Sequence, residues 1–176
     1  MPSDTHRRWD DREADVIALT QRALAATPSI TVARMASLWG EHSGGWLAVA
    51  AIAALTDHRR RDLWLRAGGA AFVAHAGAVA VKRVVQRRRP HSARVQVHVG
   101  TPSRLSFPSA HAASTTAFAL SAAPVIGVPA AAAAIGGMAL SRILLGVHYP
   151  TDVVAGAVVG CASAAGVARL RGWQAR

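Results

Sequence analysis

Apolar residues in this chain gather into long runs that are separated by short polar stretches. Four runs, 63–86, 108–123, 130–147 and 151–170, are rich in Ala, Val, Leu and Gly and carry few charges. Runs of this length and composition predict helices that cross a membrane, and the small residues allow neighbouring helices to pack closely. A further membrane helix is predicted over residues 30–57, although a polar interruption divides that stretch.

The N-terminal part of the chain has a different pattern. Between residues 10 and 27, apolar side chains such as Val16 and Ile17 are interleaved with charged ones. This pattern predicts an amphipathic helix at the membrane surface, and a helix packed on a soluble partner is the alternative. We therefore expect an interfacial segment over residues 1–43 and a membrane core over residues 44–176. No apolar region follows the charged N-terminus as a cleavable signal peptide would require.

The longest polar stretch, residues 87–107, predicts a basic loop. Alternation over residues 95–99 predicts either a short strand or an extended segment within it. Ser106 or Phe107 is predicted to cap the next helix, with Pro108 as its first residue. The predicted fold is all-α: a polytopic membrane helical bundle of about five membrane helices plus the N-terminal amphipathic interfacial helix.

Composition changes how the charge is interpreted. The formal net charge is +11, which on its own would favour nucleic acid or an anionic membrane as partner. Hydrophobic residues make up 52% of the chain, charged residues only 16%, and the mean hydropathy is +0.25. The chain has one tyrosine, and its basic loop contains no aromatic platform on which bases could stack. We predict a multi-pass protein of the cell membrane, in contact with the lipid bilayer and not with nucleic acid.

Polar residues that could carry chemistry lie where the predicted membrane helices begin or end. They are Lys82 and Arg89 where the second predicted membrane helix (63–86) ends, Ser109 and His111 where the third (108–123) begins, Arg142 and His148 where the fourth (130–147) ends, and Asp152 where the fifth (151–170) begins. A chain that leaves the membrane and re-enters it returns to the same side, so all seven residues are predicted to meet at one face. Each residue taken alone could equally be a charged anchor at the membrane rim.

Three cationic side chains at one face predict an anion site, and phosphate matches it best. Arginine binds phosphate oxygens in pairs, and the free N–H groups at a helix N-terminus add to such a site. His148 lies four residues before Asp152, whose carboxylate could hold the second ring nitrogen, so His148 is the predicted nucleophile. His111 is the predicted general acid and base. Zinc bound by the two histidines and the aspartate is a weaker alternative, because the nearby cations disfavour a divalent metal.

One further polar residue lies inside a predicted membrane helix. His75 precedes Lys82 by two helical turns and shares its face. A structural hydrogen-bonding role and a role near the site both remain open for His75.

These positions form a pattern that resembles the three-part signature of the type 2 phosphatidic acid phosphatases, a family that includes the vanadium haloperoxidases. The pattern is Lys82-x6-Arg89-Pro90, then Pro108-Ser109-Ala110-His111, then Ser141-Arg142-x5-His148-x3-Asp152. The resemblance implies a phosphatase that needs no metal or other cofactor and works in a helical membrane core. It also implies that Lys82, Arg89, Ser109, Arg142 and the backbone of Ala110 bind phosphate, and that His111, His148 and Asp152 are catalytic.

The chain departs from the family pattern at Ala110, where the second motif usually has glycine. The backbone N–H is retained, so phosphate binding is expected unless the position needs a positive φ. A site at the membrane surface favours a lipid phosphate as substrate. The small size and the Ala- and Arg-rich helices resemble compact family members that act on prenyl-linked phosphosugars of the cell wall. Phosphatidylglycerophosphate, phosphatidic acid and polyprenyl diphosphate are the alternatives.

Two functions outside this class remain at this stage. The first is a catalytically inactive family member that binds lipid or supports assembly, which an activity assay would distinguish. The second is a small ion or proton carrier, for which histidines would have to line a path across the bilayer rather than meet at one end.

Overall fold

The computed structural model describes the backbone of residues 4–174 and the side chains of residues 9–26 and 28–170. Seven α-helices lie in this range: α1 (Asp4–Leu24), α2 (Thr27–Gly40), α3 (Gly44–Thr56), α4 (Arg61–Val85), α5 (Ala110–Ile126), α6 (Val128–Leu144) and α7 (Pro150–Gln174). The described residues contain no strand, and their only β-type pairing is a bridge between Arg88 and Leu105. The predicted all-α fold is confirmed, and the alternating residues 95–99 form an irregular extended segment.

The stretch predicted as the first membrane helix consists of two helices. A 3₁₀ turn over Glu41–Ser43 separates α2 from α3, and within it His42 and Ser43 have φ values of 50° and 62°. Residues other than glycine rarely adopt this left-handed backbone conformation. It interrupts the right-handed helical geometry, so the α-helical hydrogen bonds end at this turn. The two helices pack against different neighbours: α2 packs mainly on α6, and α3 packs mainly on α4.

Helix α5 lies at the centre of the bundle and packs against α4, α6 and α7. The close approach of α7 depends on two of its glycines. A Cβ at Gly156 would collide with the carbonyl oxygen of Ser109, and a Cβ at Gly160 would lie 2.5 Å from that of Ala113. Small residues at a helix crossing allow backbones to meet in this way. As a result the first turns of α5 and α7 are joined by a hydrogen bond of 2.8 Å from Ser109 N to Asp152 O.

The predicted start of α5 is wrong by two residues. The helix begins at Ala110, and Ser109 is its N-cap, with extended backbone and a side-chain oxygen that accepts a hydrogen bond from the N–H of Ala112. A serine oxygen in this position satisfies one of the free N–H groups of the first helical turn. Ser106 and Phe107, which were predicted to cap the helix, belong to the loop before it.

Among the described residues, two helical segments are long and apolar enough to cross a membrane, His58–Val85 and Pro150–Leu170. The segment Val128–Leu144 is apolar but shorter. Helix α1 is amphipathic as predicted, and it lies across the end of the bundle in contact with α6 and α7. Its buried face presents Ala14, Ile17 and Ala18, and its other face leaves Val16 and Leu19 exposed.

Candidate active site

A cavity of about 630 Å³ opens at the end of the bundle where α4 and α6 end and α5 begins. Six of the residues predicted for the site line it: Lys82, Arg89, Ala110, His111, Arg142 and His148. The other two, Ser109 and Asp152, are fully buried against this wall. The structure therefore brings together all eight residues, although the sequence distributes them over about seventy positions.

Among the described residues, the side chains of Lys82 and Arg89 make hydrogen bonds only to carbonyl groups and a histidine. Lys82 Nζ donates to Ser106 O at 2.8 Å. Arg89 donates from Nε to Ser103 O at 2.8 Å and from Nη1 to Val147 O at 2.6 Å. Within the described part of the chain, no ion pair joins either side chain to a carboxylate.

Arg142 is the least satisfied of these cations. Its side chain is only 2% exposed, and neither Nε nor Nη2 has a hydrogen-bond partner among the described residues. A buried guanidinium without a partner is costly, and an anion held in the cavity would remove that cost. Burial also lowers the pKa of Arg89 to about 10, an effect that the charge of Asp152 partly opposes.

His148 lies in the turn between α6 and α7, and α7 begins at Pro150, so this turn is not helical at the histidine. Its Nδ1 atom is 3.5 Å from Oδ2 of Asp152, which also accepts the N–H of Tyr149 at 2.8 Å. Its Nε2 atom is 3.2 Å from Nη1 of Arg89. Because the guanidinium can only donate, Nε2 is the acceptor in that contact and the proton lies on Nδ1, toward Asp152.

The surroundings of His148 keep its imidazole neutral. Burial lowers its pKa well below the ordinary value of 6.5, and the charges of Arg89, Lys82 and Arg142 lower it further. A neutral imidazole whose Nε2 carries a lone pair at the wall of a cationic cavity can attack an electrophile held there.

His111 also lines the cavity, from the first turn of α5. Its Nε2 atom is 2.9 Å from the carbonyl oxygen of Ser37 in α2, so Nε2 carries a proton. Gly40 permits this contact, because a Cβ at that position would lie 2.6 Å from Cδ2 of the His111 ring. Helix α2 thus sets the position of the second histidine.

The N-terminus of α5 supplies the remaining polar groups. Ser109 Oγ caps the helix, and Ala110 is the first helical residue, so its N–H has no partner within the helix. Ala110 has no positive φ. The alanine that replaces the usual glycine therefore does not disturb the backbone here.

Sequence analysis missed the polar network that surrounds Asp152. Arg87 donates from Nη1 to Asp152 Oδ1 at 3.0 Å and to Thr151 Oγ1 at 2.7 Å. From Nη2 it donates to Asp10 Oδ1 at 2.6 Å and to Glu13 Oε2 at 2.7 Å, both in α1. Burial alone would lower the pKa of Arg87, but its hydrogen bonds to Glu13 and Asp10 and the charge of Asp152 outweigh that effect and raise the pKa.

A weak signal for this network exists in the sequence. Arg87 belongs to a run of three arginines, and Glu13 belongs to a mixed-charge stretch. Nothing in either stretch separates Arg87 or Glu13 from the charged residues next to it.

No three His, Cys, Asp or Glu side chains lie close enough to hold a metal ion within the described part of the chain. His111 and His148 both line a cavity whose wall also carries four cationic residues: Lys82, Arg83, Arg89 and Arg142.

Comparison with known proteins gives a consistent result. A family model described as the PAP2 superfamily matches residues 63–176. The chain is 57% identical over 145 residues to the decaprenylphosphoryl-5-phosphoribose phosphatase of Mycolicibacterium smegmatis, which covers 82% of this chain and 81% of the relative. It is 48% identical over 165 residues to the protein of the same name from Mycobacterium tuberculosis, with 93% of both chains covered.

Two solved structures share the fold. A transmembrane PAP2 type phosphatidylglycerolphosphate phosphatase from Bacillus subtilis superimposes with a TM-score of 0.74 at 17% identity, covering 96% of this chain and 87% of that one. LpxE from Aquifex aeolicus superimposes with a TM-score of 0.71 at 20% identity, covering 88% of this chain and 93% of that one.

Proposed function

Because the chain belongs to the PAP2 superfamily, we propose that it is an integral-membrane lipid phosphatase that hydrolyses a phosphate monoester through a phosphohistidine. One observation carries the proposal. Two buried cations, Lys82 and Arg142, and the half-buried Arg89 have no carboxylate partner in the described part of the chain. They line a cavity whose wall also carries a neutral histidine and a second histidine. Such a cavity matches a phosphate dianion in charge and offers it a nucleophile and an acid.

In the proposed reaction, Nε2 of His148 attacks phosphorus, and the bond from phosphorus to the leaving oxygen of the lipid breaks. His111 gives a proton to that oxygen and then takes one from a water molecule. The water oxygen attacks the phosphohistidine, the phosphorus–nitrogen bond breaks, and inorganic phosphate leaves. Since the Ser37 carbonyl holds the N–H at Nε2 of His111, Nδ1 is the nitrogen that exchanges the proton. His111 therefore has to be an imidazolium, with a proton on each ring nitrogen, when the lipid phosphate is bound, and the negative charge of that phosphate favours this form.

The other site residues stabilise charge during this transfer. Lys82, Arg89 and Arg142 face the equatorial oxygens of the phosphoryl group, as do the hydroxyl of Ser109 and the N–H of Ala110. Asp152 Oδ2 lies 3.5 Å from Nδ1 of His148 without forming a hydrogen bond in the structure, and its charge would stabilise the positive charge that develops on the imidazole.

For the substrate we propose decaprenylphosphoryl-5-phosphoribose, the compound in the names of the relatives that match most of the chain. The shape of the cavity supports a polar headgroup beyond the phosphate. The cavity is also lined by Glu41, His42 and His75. The centroids of the two imidazole rings are 6.0 Å apart, and Nδ1 of His75 is buried without a hydrogen-bond partner among the described residues. These groups can donate to or accept from sugar hydroxyls.

The surface supports residence in the cell membrane with several crossings. Large apolar side chains on the outer faces of α4 and α7, such as Phe72, Val154 and Val158, are exposed to the surroundings. Contiguous apolar surfaces of this kind fit a lipid environment. Residues 1–43 would then form an interfacial segment over a core of residues 44–176.

The test is phosphate release by the purified full chain in detergent, with decaprenylphosphoryl-5-phosphoribose, phosphatidylglycerophosphate, phosphatidic acid and a polyprenyl diphosphate as substrates. We expect preference for the first, and a loss of roughly 1,000-fold or more in His148→Ala. His58→Ala, in the α3–α4 connection, is the control and should retain activity. Equal turnover by His148→Ala would refute the nucleophile, and equal rates on all four lipids would refute the substrate.

A second measurement separates the proposed mechanism from a metal-dependent one. Phosphate release should be unchanged after EDTA treatment, because the cations of the cavity supply the positive charge. Strong inhibition by EDTA that zinc reverses would favour the metal site considered from the sequence.

A further inference from the structure

Asp152 has contacts that set its orientation from two sides. Its Oδ2 atom accepts the N–H of Tyr149 and faces Nδ1 of His148, and its Oδ1 atom accepts a hydrogen bond from Arg87. The carboxylate is fully buried, so water does not offer an alternative partner. Rotation that displaced Oδ2 from His148 would also break the bond between Oδ1 and Arg87.

Arg87 is itself held by the N-terminal helix. Asp10 and Glu13 of α1 accept both of the hydrogen bonds from its Nη2 atom. The guanidinium also lies 4.1 Å from the centre of the Tyr149 ring, measured from Cζ. A planar guanidinium with several fixed partners has a single orientation, which a flexible lysine at this position could not reproduce.

Glu13 reaches the start of α7 as well. Its Oε1 atom accepts the backbone N–H of Thr151 at 2.8 Å, and its Oε2 atom accepts the Thr151 hydroxyl at 2.9 Å. Thr151 directly precedes Asp152, and its N–H is one of the first-turn donors that the helix leaves without a partner. Glu13 is 9% exposed, so this contact is well shielded.

We propose that Arg87 and Glu13 are positioning residues for Asp152, and that α1 is therefore part of the active site rather than a membrane anchor alone. The inference rests on the roles proposed above for His148 and Asp152. It predicts that loss of either residue lowers the rate of the chemical step while substrate binding is retained, because neither side chain lines the cavity.

The chain contains a matched control. Arg94 also pairs with α1, at 2.5 Å from Asp15 and 3.5 Å from Asp11, but it has no contact with Asp152. If α1 only needs to be attached to the bundle, loss of Arg94 and loss of Arg87 should have similar effects. If Arg87 acts through Asp152, only its loss should affect catalysis.

The experiment compares Arg87→Met, Arg87→Lys, Glu13→Gln, Arg94→Met, Asp152→Asn and the double variant Arg87→Met/Asp152→Asn. For each full-length protein, kcat and KM are measured on the fastest-hydrolysed lipid of the four-lipid panel, and the unfolding temperature is measured in the same detergent. By analogy with residues that orient metal-bound histidines, we expect kcat to fall roughly 10- to 100-fold in Arg87→Met. In Glu13→Gln, kcat should fall less than in Arg87→Met, and in Arg87→Lys it should recover only a little. In each variant, KM should stay within about threefold of the wild-type value.

The double variant provides the decisive comparison. If Arg87 acts through Asp152, the double variant loses little beyond Asp152→Asn alone. Independent losses that multiply would overturn the inference, as would a fall in kcat in Arg94→Met equal to that in Arg87→Met. Full activity in Asp152→Asn would instead remove the proposed role of Asp152, and a wild type that hydrolyses none of the four lipids would remove the proposed function and this inference with it.

Discussion

Arg87 and Arg89 are two residues apart, yet they lie on opposite sides of the His148–Asp152 pair and in opposite electrical surroundings. Arg87 is held by three carboxylates, those of Asp10, Glu13 and Asp152. Within the part of the chain that the structure describes, the side chain of Arg89 has only carbonyl oxygens and the ring of His148 as partners. Correspondingly, the pKa of Arg87 is raised and that of Arg89 is lowered to about 10.

The comparison shows how one type of side chain performs two tasks. On the rear side of the pair, the positive charge is already neutralised by the protein, so it orients groups and does not attract a ligand. On the cavity side, Lys82, Arg89 and Arg142 have no carboxylate partner in the described part of the chain. They can therefore pair with a bound phosphate, and that pairing stabilises the complex. The predictions below test this division, beginning with the largest expected effect.

The first prediction concerns Arg142→Met, which removes the least satisfied cation of the cavity. We expect kcat/KM to fall about 100-fold or more, because a buried guanidinium stabilises charge on the transferring phosphoryl. We also expect the unfolding temperature to stay the same or rise, since methionine fills a similar space without an unpaired buried charge. Enzyme assay and thermal unfolding in one detergent measure both effects.

Arg87→Met provides the opposite case for stability. It leaves three carboxylates without their shared partner, so its unfolding temperature should fall. A fall in the unfolding temperature of Arg142→Met as large as that of Arg87→Met would contradict the division into a neutralised rear and a charged cavity.

The sequence predicts the cavity side of this comparison better than the rear. Lys82, His111, Arg142 and Asp152 lie at the ends of apolar runs, and the alternation of exits and entries places such ends at one face whatever the packing details. The Arg87 network instead joins residues up to 138 positions apart through the orientation of α1. That orientation depends on tertiary packing, which hydrophobic periodicity does not specify.

The break between α2 and α3 was predicted only in part. A polar interruption at residues 41–45 is visible in the sequence. The left-handed backbone of His42 and Ser43 is not visible there, because residues other than glycine adopt that conformation in only a small minority of cases. The consequence for the site was therefore missed: α2 ends beside His111 and holds it through the carbonyl of Ser37.

The second prediction tests this contribution of α2 to the cavity. Gly40→Ala places a methyl group 2.6 Å from Cδ2 of His111, so the ring must move away from its position. We expect kcat to fall roughly 10-fold, less than the roughly 100- to 10,000-fold that general acid–base catalysis contributes, because the substitution displaces the ring without removing it. The measurement is phosphate release at saturating substrate, with the unfolding temperature as a check on folding.

Gly44→Ala is the matched control, because a Cβ there meets nothing within 4 Å. It lies four residues further along and just beyond the same break. Equal losses in the two variants would mean that the break itself, and not the His111 contact, is sensitive to substitution.

The third prediction uses pH to distinguish the two arginines and has the smallest expected effect. Burial lowers the pKa of His148 most, and the charges of Arg89, Lys82 and Arg142 lower it further. Removing a cation that disfavours the imidazolium raises that pKa, so Arg89→Met should move the acidic limb of the kcat/KM profile toward higher pH. The wild type and the variant are compared on one substrate, so ionisation of the substrate contributes equally to both profiles. Arg94→Met, which does not face His148, should leave the limb in place. A limb that stays fixed in Arg89→Met, or that moves toward lower pH, would show that the charge of Arg89 does not keep the nucleophile neutral.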